Sequence, residues 1–281
     1  MAPRTRKPTT ARLAVADALT TAAFILFSSL WGEAGLRLAA ASGGALSAFT
    51  AGLAVLGLGL AAFSPAARAI GRLAGVGGPP CFNPAHSVAL AVAGKKVGGA
   101  WGAALARGAA QTAGALGGAL AAGALLPPHL ASTIPLPSMT SLRAALVAEV
   151  FLGAALALVV IWSVAEAAPG SWGAWGVPLA ATLAFTWAGS LGAHVPSFNP
   201  AYAVAWARRS LAAAAGPHHS AASHAAAFCA GPLLGAALAG AIWRAVEEEP
   251  PKAARGRRNE AAVAARARSA AKQAAAAKKG K

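Results

Sequence analysis

The chain has 281 residues, 57% of them hydrophobic and only 11% charged, with a formal net charge of +16. Soluble domains carry about 25% charged residues, so an ordinary soluble globular domain is excluded. The two cysteines, Cys81 and Cys229, give neither a disulfide framework nor a metal-binding spacing.

The charge is segregated. Ten of the 24 Lys and Arg residues lie from Lys252 onward and four lie in the first twelve positions. Basic clusters flanking apolar helices mark a cytosolic membrane face rather than a nucleic-acid surface, and no aromatic-interleaved basic patch accompanies them. The basic segment 1–12 is followed by a long apolar stretch that contains Asp17, which argues against a cleaved secretory signal.

Stretches long enough to cross hydrocarbon, about 20 residues, are predicted at Leu13–Trp31, Leu46–Phe63, Val97–Leu126, Ser141–Val164, Trp175–Ala193 and Ser220–Ala245. Loops are signalled by Gly77–Pro80, by Pro127–Pro137 and by Ala168–Gly173. Two apolar segments, Phe82–Gly94 and Phe198–Leu211, are too short to span. With six crossings, the basic residues at 4–12, 68–72, 95–96 and after 252 share one side, so both termini are expected in the cytosol. Arg208 and Arg209 fall on the other side. Residues 248–281 read as a basic, largely disordered tail.

The chain repeats itself. Phe82-Asn83-Pro84-Ala85 recurs as Phe198-Asn199-Pro200-Ala201, an offset of 199 − 83 = 116, and these tetrapeptides hold two of the chain's three asparagines. Asp17 in the first span and Glu149 in the fourth are each preceded by Ala. Glycines recur around Gln111 to Gly118 and Gly231 to Gly240, as small-residue packing faces. Each half, about 13–126 and 141–247, is three spans plus one short segment. Three is odd, so the second half is expected to be inverted, with its working site at broken helices near the midplane.

Asn before Pro is a helix start. The Asn oxygen caps a backbone N–H, and Pro suits the first helical position. Asn83 and Asn199 are therefore expected to cap two half-helices that meet end to end, with their amide NH₂ groups free to face a lumen. The positive ends of two helix dipoles would disfavour cations there. An acid in hydrocarbon costs about 2.5–3.5 kcal/mol on insertion scales, so Asp17 and Glu149 are expected inside the bundle, binding backbone of the half-helix loops. Gln111, the only glutamine in a span, is expected to hold a loop as well. The competing reading makes the two acids a proton relay.

These features resemble the aquaporins, or major intrinsic proteins: the paired Asn-Pro-Ala boxes, the acids of spans one and four, and Arg107, Ala110-Gln111 and Gly114-Ala115 of the third span. The resemblance covers nearly the whole chain to about Glu247, and Asp rather than Glu at position 17, the short N-terminus, the Val92-Ala93-Gly94 ending of the first short segment, the Ala201-to-Ala207 run after the second box and the basic tail make it strongest to the small basic intrinsic proteins of plants. It implies an all-α membrane protein of six transmembrane helices and two re-entrant half-helices. It also implies a channel for water, with small neutral solutes possible in kind, a homotetramer, no cofactor or metal, and the endoplasmic-reticulum membrane. Lys278-Lys279-Gly280-Lys281 resembles a di-lysine retrieval signal.

One departure concerns the selectivity filter. Where most water-selective relatives have Arg after the second box, this chain has Tyr202. Family spacing implies Trp187 and Pro196 as further filter positions, and Phe63 on the second span, with Leu60 as the alternative. Such a filter holds no fixed cation, and its bulky aromatics could narrow the passage.

His86 follows the first box and is expected at a vestibule, where packing is the plainer role and a pH gate the sharper one. His194 sits likewise before the second box, and His218, His219 and His224 read as interfacial residues. Cys81 is expected close to the passage. Three functions compete: a passive channel, a non-conducting protein that keeps the fold, and a proton-coupled transporter. No nucleophile–base pair, phosphate loop or metal site points to an enzyme.

Overall fold

The computed structural model describes residues 8–76, 80–94, 100–127, 138–139, 141–168, 171–192, 194–213 and 220–247, without the side chains of 138, 194 and 208–213. The expected basic tail, Lys95 and Lys96, His218 and His219, most of the four-proline connection, and the side chains of His194, Arg208 and Arg209 thus lie outside the described residues. The chain divides into two units, Met1–Trp243 and Arg244–Lys281, and the site lies in the first.

The elements are α1 (Thr10–Ser28), α2 (Trp31–Ala41), α3 (Ala48–Leu73), α4 (Pro84–Ala93), α5 (Trp101–Leu125), β1 (Ser138–Met139), α6 (Leu142–Ala165), α7 (Trp172–Leu191), β2 (His194–Val195), α8 (Pro200–Ala213), α9 (Ala221–Ala225), a π-helical turn (Ala226–Ala230) and α10 (Gly231–Glu247). The described chain is all-helical apart from β1 and β2, which pair antiparallel through Ser138 with Val195 and Met139 with His194.

Among the described residues, four helical stretches are long and apolar enough to cross a membrane: Thr10–Ala41, Ala48–Leu73, Leu142–Ala165 and Ala221–Glu247. The sequence predicts six. The other two helices, α5 of 25 residues and α7 of 20, extend about 37 Å and 30 Å at 1.5 Å per residue. Length is not what separates them. Arg107, Gln111 and frequent Gly dilute α5, and Trp, Gly and Pro178 dilute α7.

Local chemistry sets the helix ends. Thr9, Ser47, Ser141 and Ser220 each accept a backbone N–H at the start of α1, α3, α6 and α9, as good N-caps do. The stretch Thr10–Ala41 is interrupted at Ser29 and Leu30. Ser28 Oγ and Ser29 Oγ both donate to the Ile25 carbonyl, at 3.0 and 2.8 Å. Competition of this kind bends helices, and here it separates α1 from α2.

The two halves pack alike. A Cβ on Gly114 of α5 would collide with the Ala18 carbonyl of α1, and one on Gly235 of α10 would collide with the Val150 carbonyl of α6. Glycine lets each pair of backbones close up, the packing that apolar helices use when water supplies no drive. The cores differ. Around α1 and α3 the filling is aromatic, with Phe24, Trp31, Phe63 and Trp206, whereas α4, α6 and α10 meet over Ala85, Ala89, Ala154, Ala157, Ala236 and Ala239.

Candidate functional site

Asn83 has extended backbone, and its Oδ1 accepts the Ala85 N–H at 3.0 Å, with Pro84 in the first helical position of α4. Asn199 repeats this on α8, where its Oδ1 accepts from the N–H of Ala201 at 3.1 Å and of Tyr202 at 3.4 Å. With both oxygens facing their own helices, both Nδ2 atoms face away from them. Each then crosses to the other loop. Asn83 Nδ2 donates to the Phe198 carbonyl at 2.8 Å, and Asn199 Nδ2 donates to the Phe82 carbonyl at 3.1 Å.

The two helix starts are therefore joined N-terminus to N-terminus by a reciprocal pair of hydrogen bonds from the asparagine amides. The sequence predicts these NH₂ groups at a lumen and does not foresee the crossed bonds. One hydrogen of each is engaged across the junction, because the facing loop carbonyls would otherwise be buried without donors.

Each loop is held from behind by an acid. Asp17, fully buried on α1, accepts the Cys81 N–H at 2.8 Å on Oδ1. Its carboxylate also takes two bonds from Arg107 of α5, at 2.6 and 3.1 Å, and one from Gln111 Nε2 at 2.9 Å. Gln111 Nε2 reaches the Cys81 carbonyl and Ser87 Oγ as well, at 3.3 and 3.2 Å. Glu149, fully buried on α6, accepts the N–H of Ser197 at 2.5 Å and of Phe198 at 3.1 Å, one on each oxygen. Phe198 is the one described non-glycine residue with positive φ, +52°. Turned this way, it offers its N–H to Glu149 and its carbonyl to Asn83.

A cavity of about 440 Å³ lies over this junction. Its wall is largely apolar, with Phe24, Trp31, Leu53, Leu56, Leu60 and Phe82, and its polar groups are Asn83, Asn199, His86, Thr182, Thr186, Ser28, Ser197 and Tyr202. No charged side chain is on that wall among the described residues. Phe24 stacks on Phe82 at 4.6 Å and tilts toward Tyr202 at 6.3 Å, so aromatic rings crowd one side.

The four residues expected at a filter have different surroundings. Tyr202 and Pro196 are on the cavity wall. Trp187 is not. It is 53% exposed, and its neighbour Thr186 takes the inward place. One residue along a helix turns a side chain by about 100°, so a count off by one lands on the outer face. Phe63 is buried instead against Phe24 and Phe27, and α3 reaches the wall through residues that include Leu53, Leu56 and Leu60.

Other side chains take stations the sequence did not assign. Arg107 turns out to be the partner of Asp17, and its signal was a lone arginine one turn before Gln111 in an apolar stretch. Thr182 and Thr186 give no advance signal, since each resembles any helical threonine back-bonded to the preceding turn. Cys81 sits behind Asn83, with Sγ 3.3 Å from the Asn83 carbonyl, and does not line the cavity. His224 is buried under α8, its Nε2 3.2 Å from the Ala203 carbonyl. Among the described residues no group of His, Cys, Asp and Glu is arranged to hold a metal ion.

The site stands on its own geometry, because no protein-family model and no curated protein matches the chain.

Proposed function

We propose that this protein is a passive membrane channel of the aquaporin plan, conducting water and small neutral solutes. In this reading α5 and α7 cross the membrane along with the four more apolar stretches. The short helices α4 and α8 enter from opposite faces as re-entrant halves of an inverted repeat.

The carrying observation is the reciprocal pair of hydrogen bonds from the Asn83 and Asn199 amides, which fixes two helix N-termini against each other at a cavity without charged side chains among the described residues. Helix N-termini carry partial positive charge. A neutral solute is tolerated beside them, while a cation is repelled and finds no carboxylate on the wall to offset the loss of its water. Asp17 and Glu149 face loop backbone rather than the cavity wall, which favours a scaffolding role over a proton relay. No part of the site calls for enzymatic chemistry. Both termini in the cytosol, an endoplasmic-reticulum membrane and a homotetramer complete the proposal.

The test is osmotic shrinkage of reconstituted liposomes. The native protein should raise water permeability above that of empty vesicles, with a low activation energy. Thr186→Leu should lower it several-fold and Trp187→Ala should leave it unchanged. Rates equal to empty vesicles sink the channel reading. The aromatic crowding at Phe24, Phe82 and Tyr202 favours one alternative, a closed scaffold, in which only Tyr202→Ala would conduct.

A further inference from the structure

His86 lies one turn into α4, lines the cavity, and brings its Nε2 to 3.2 Å from Asn83 Nδ2. The chemistry of the partner decides what that contact is. Asn83 Oδ1 is fixed by its cap on the Ala85 N–H, so the atom facing His86 is the amide nitrogen, which has only hydrogens to offer. One of these goes to the Phe198 carbonyl. The bond to His86 therefore requires a lone pair on Nε2, and so the neutral imidazole with its proton on Nδ1. Asn199 makes its one cross-junction bond to Phe82 and has no corresponding histidine, since Tyr202 stands at the equivalent helical turn.

We infer that His86 is a positioning residue that makes the two asparagines unequal: the neutral ring takes the second amide hydrogen of Asn83, leaving Asn199 to present a free amide hydrogen to solute. Protonation of Nε2 removes the lone pair and releases Asn83. This inference rests on the channel reading for its effect on flux, but not for the tautomer itself.

Little else in the surroundings would answer to pH. On the elements packed against α4, the charged and titratable groups are Arg107 on α5, Arg143 and Glu149 on α6, Tyr202, Arg208 and Arg209 on α8, and Arg244 and Glu247 on α10. Arg107 is engaged by Asp17, Glu149 holds the Ser197 and Phe198 N–H groups, and Arg143 is exposed. Tyr202 shares the cavity wall, and the side chains of Arg208 and Arg209 are outside the described residues.

Two measurements on the full chain in liposomes test this. First, ¹⁵N NMR of labelled histidine, with the His86 signal identified by its loss in His86→Gln, should show a protonated Nδ1 and a bare Nε2 at neutral pH. An Nε2–H tautomer overturns the proposal whether or not the vesicles conduct. Second, osmotic permeability is followed as the pH falls through and below the ordinary imidazole range near 6.5. The native protein should gain on the order of threefold, the scale of one modest hydrogen bond. His86→Leu, which has no acceptor, should sit at the acid value at every pH. His86→Gln, whose side-chain oxygen accepts without titrating, should sit at the neutral value. A flat native profile in conducting vesicles, or a native-like profile in His86→Leu, overturns it. Silent vesicles with the Nδ1–H tautomer would reject the channel and leave the His86 bond standing.

Discussion

The loop before Asn83 and the loop before Asn199 carry out the same task on different backbones. Both give an N–H to a buried acid, cap a short helix with Asn, and accept an amide from the opposite loop. Yet Phe198 sits at φ +52° and Phe82 does not share that conformation. Such a backbone costs about 1–3 kcal/mol for a bulky residue and persists only when its surroundings over-determine it. Glu149, Asn83 and burial of the Phe198 ring supply that determination. The acids differ too, since Asp17 shares its carboxylate with Arg107 and Gln111 while Glu149 gives one oxygen to each of two successive N–H groups. What the two copies have in common is a bonding scheme rather than a chain path.

The largest test of that difference is Arg107→Leu. It strands the fully buried Asp17 carboxylate, and breaking a buried pair from one side costs about 3–5 kcal/mol. Thermal unfolding in detergent should show most of the loss restored in the double variant Asp17→Asn/Arg107→Leu, which removes both charges and keeps an acceptor for the Cys81 N–H. Equal melting of the single and double variants would show that the ion pair does not hold the first loop.

Glu149→Gln comes next. A carboxamide brings one acceptor to a place where two N–H groups converge, so one is left facing a donor, at a cost of about 1–3 kcal/mol. Hydrogen exchange at Ser197 and Phe198 should accelerate while that at Cys81 stays slow. Uniform acceleration of both loops would count against separate support.

The smallest effect is the most discriminating. At Phe198, Gly should be more stable than Ala by about 1 kcal/mol, because Gly tolerates positive φ and Ala does not. At Phe82 the order should reverse by about 0.5–1 kcal/mol, the usual entropic cost of Gly. The same order at both positions would remove the backbone distinction between the loops.

Much of the junction was legible in the chain because its chemistry is written in rare letters. Asn-Pro specifies a helix start from local physics alone, and an acid inside an apolar stretch must find donors. The cavity wall was less legible for a geometric reason. Family spacing reaches α7 from Asn199 across Ser197, Pro196 and the β2 segment, and that irregular path breaks helical phase. Trp187 was thus named where Thr186 stands. On α3, Phe63 is drawn into the aromatic cluster with Phe24 and Phe27, while Leu53, Leu56 and Leu60 are on the wall. The predicted first span ends at Trp31, close to the α1–α2 break, but α2 itself, Trp31–Ala41, has no counterpart among the predicted spans, because Glu33, Arg37 and Gly dilute it. The crossed destination of the Asn amides required three dimensions, since residues 83 and 198 meet only when both loops are in place.

The crossed bonds also have a symmetry. What Asn83 gives to the loop of the second half, Asn199 gives back to the loop of the first, which is the rule of an isologous dimer interface. A single polypeptide thus contains the contact that two identical subunits would make about a two-fold axis. Covalent linkage releases the partners from having to remain identical. One half can take up a twisted phenylalanine while the other gathers an aromatic core, provided that the exchange of amides across the axis still closes.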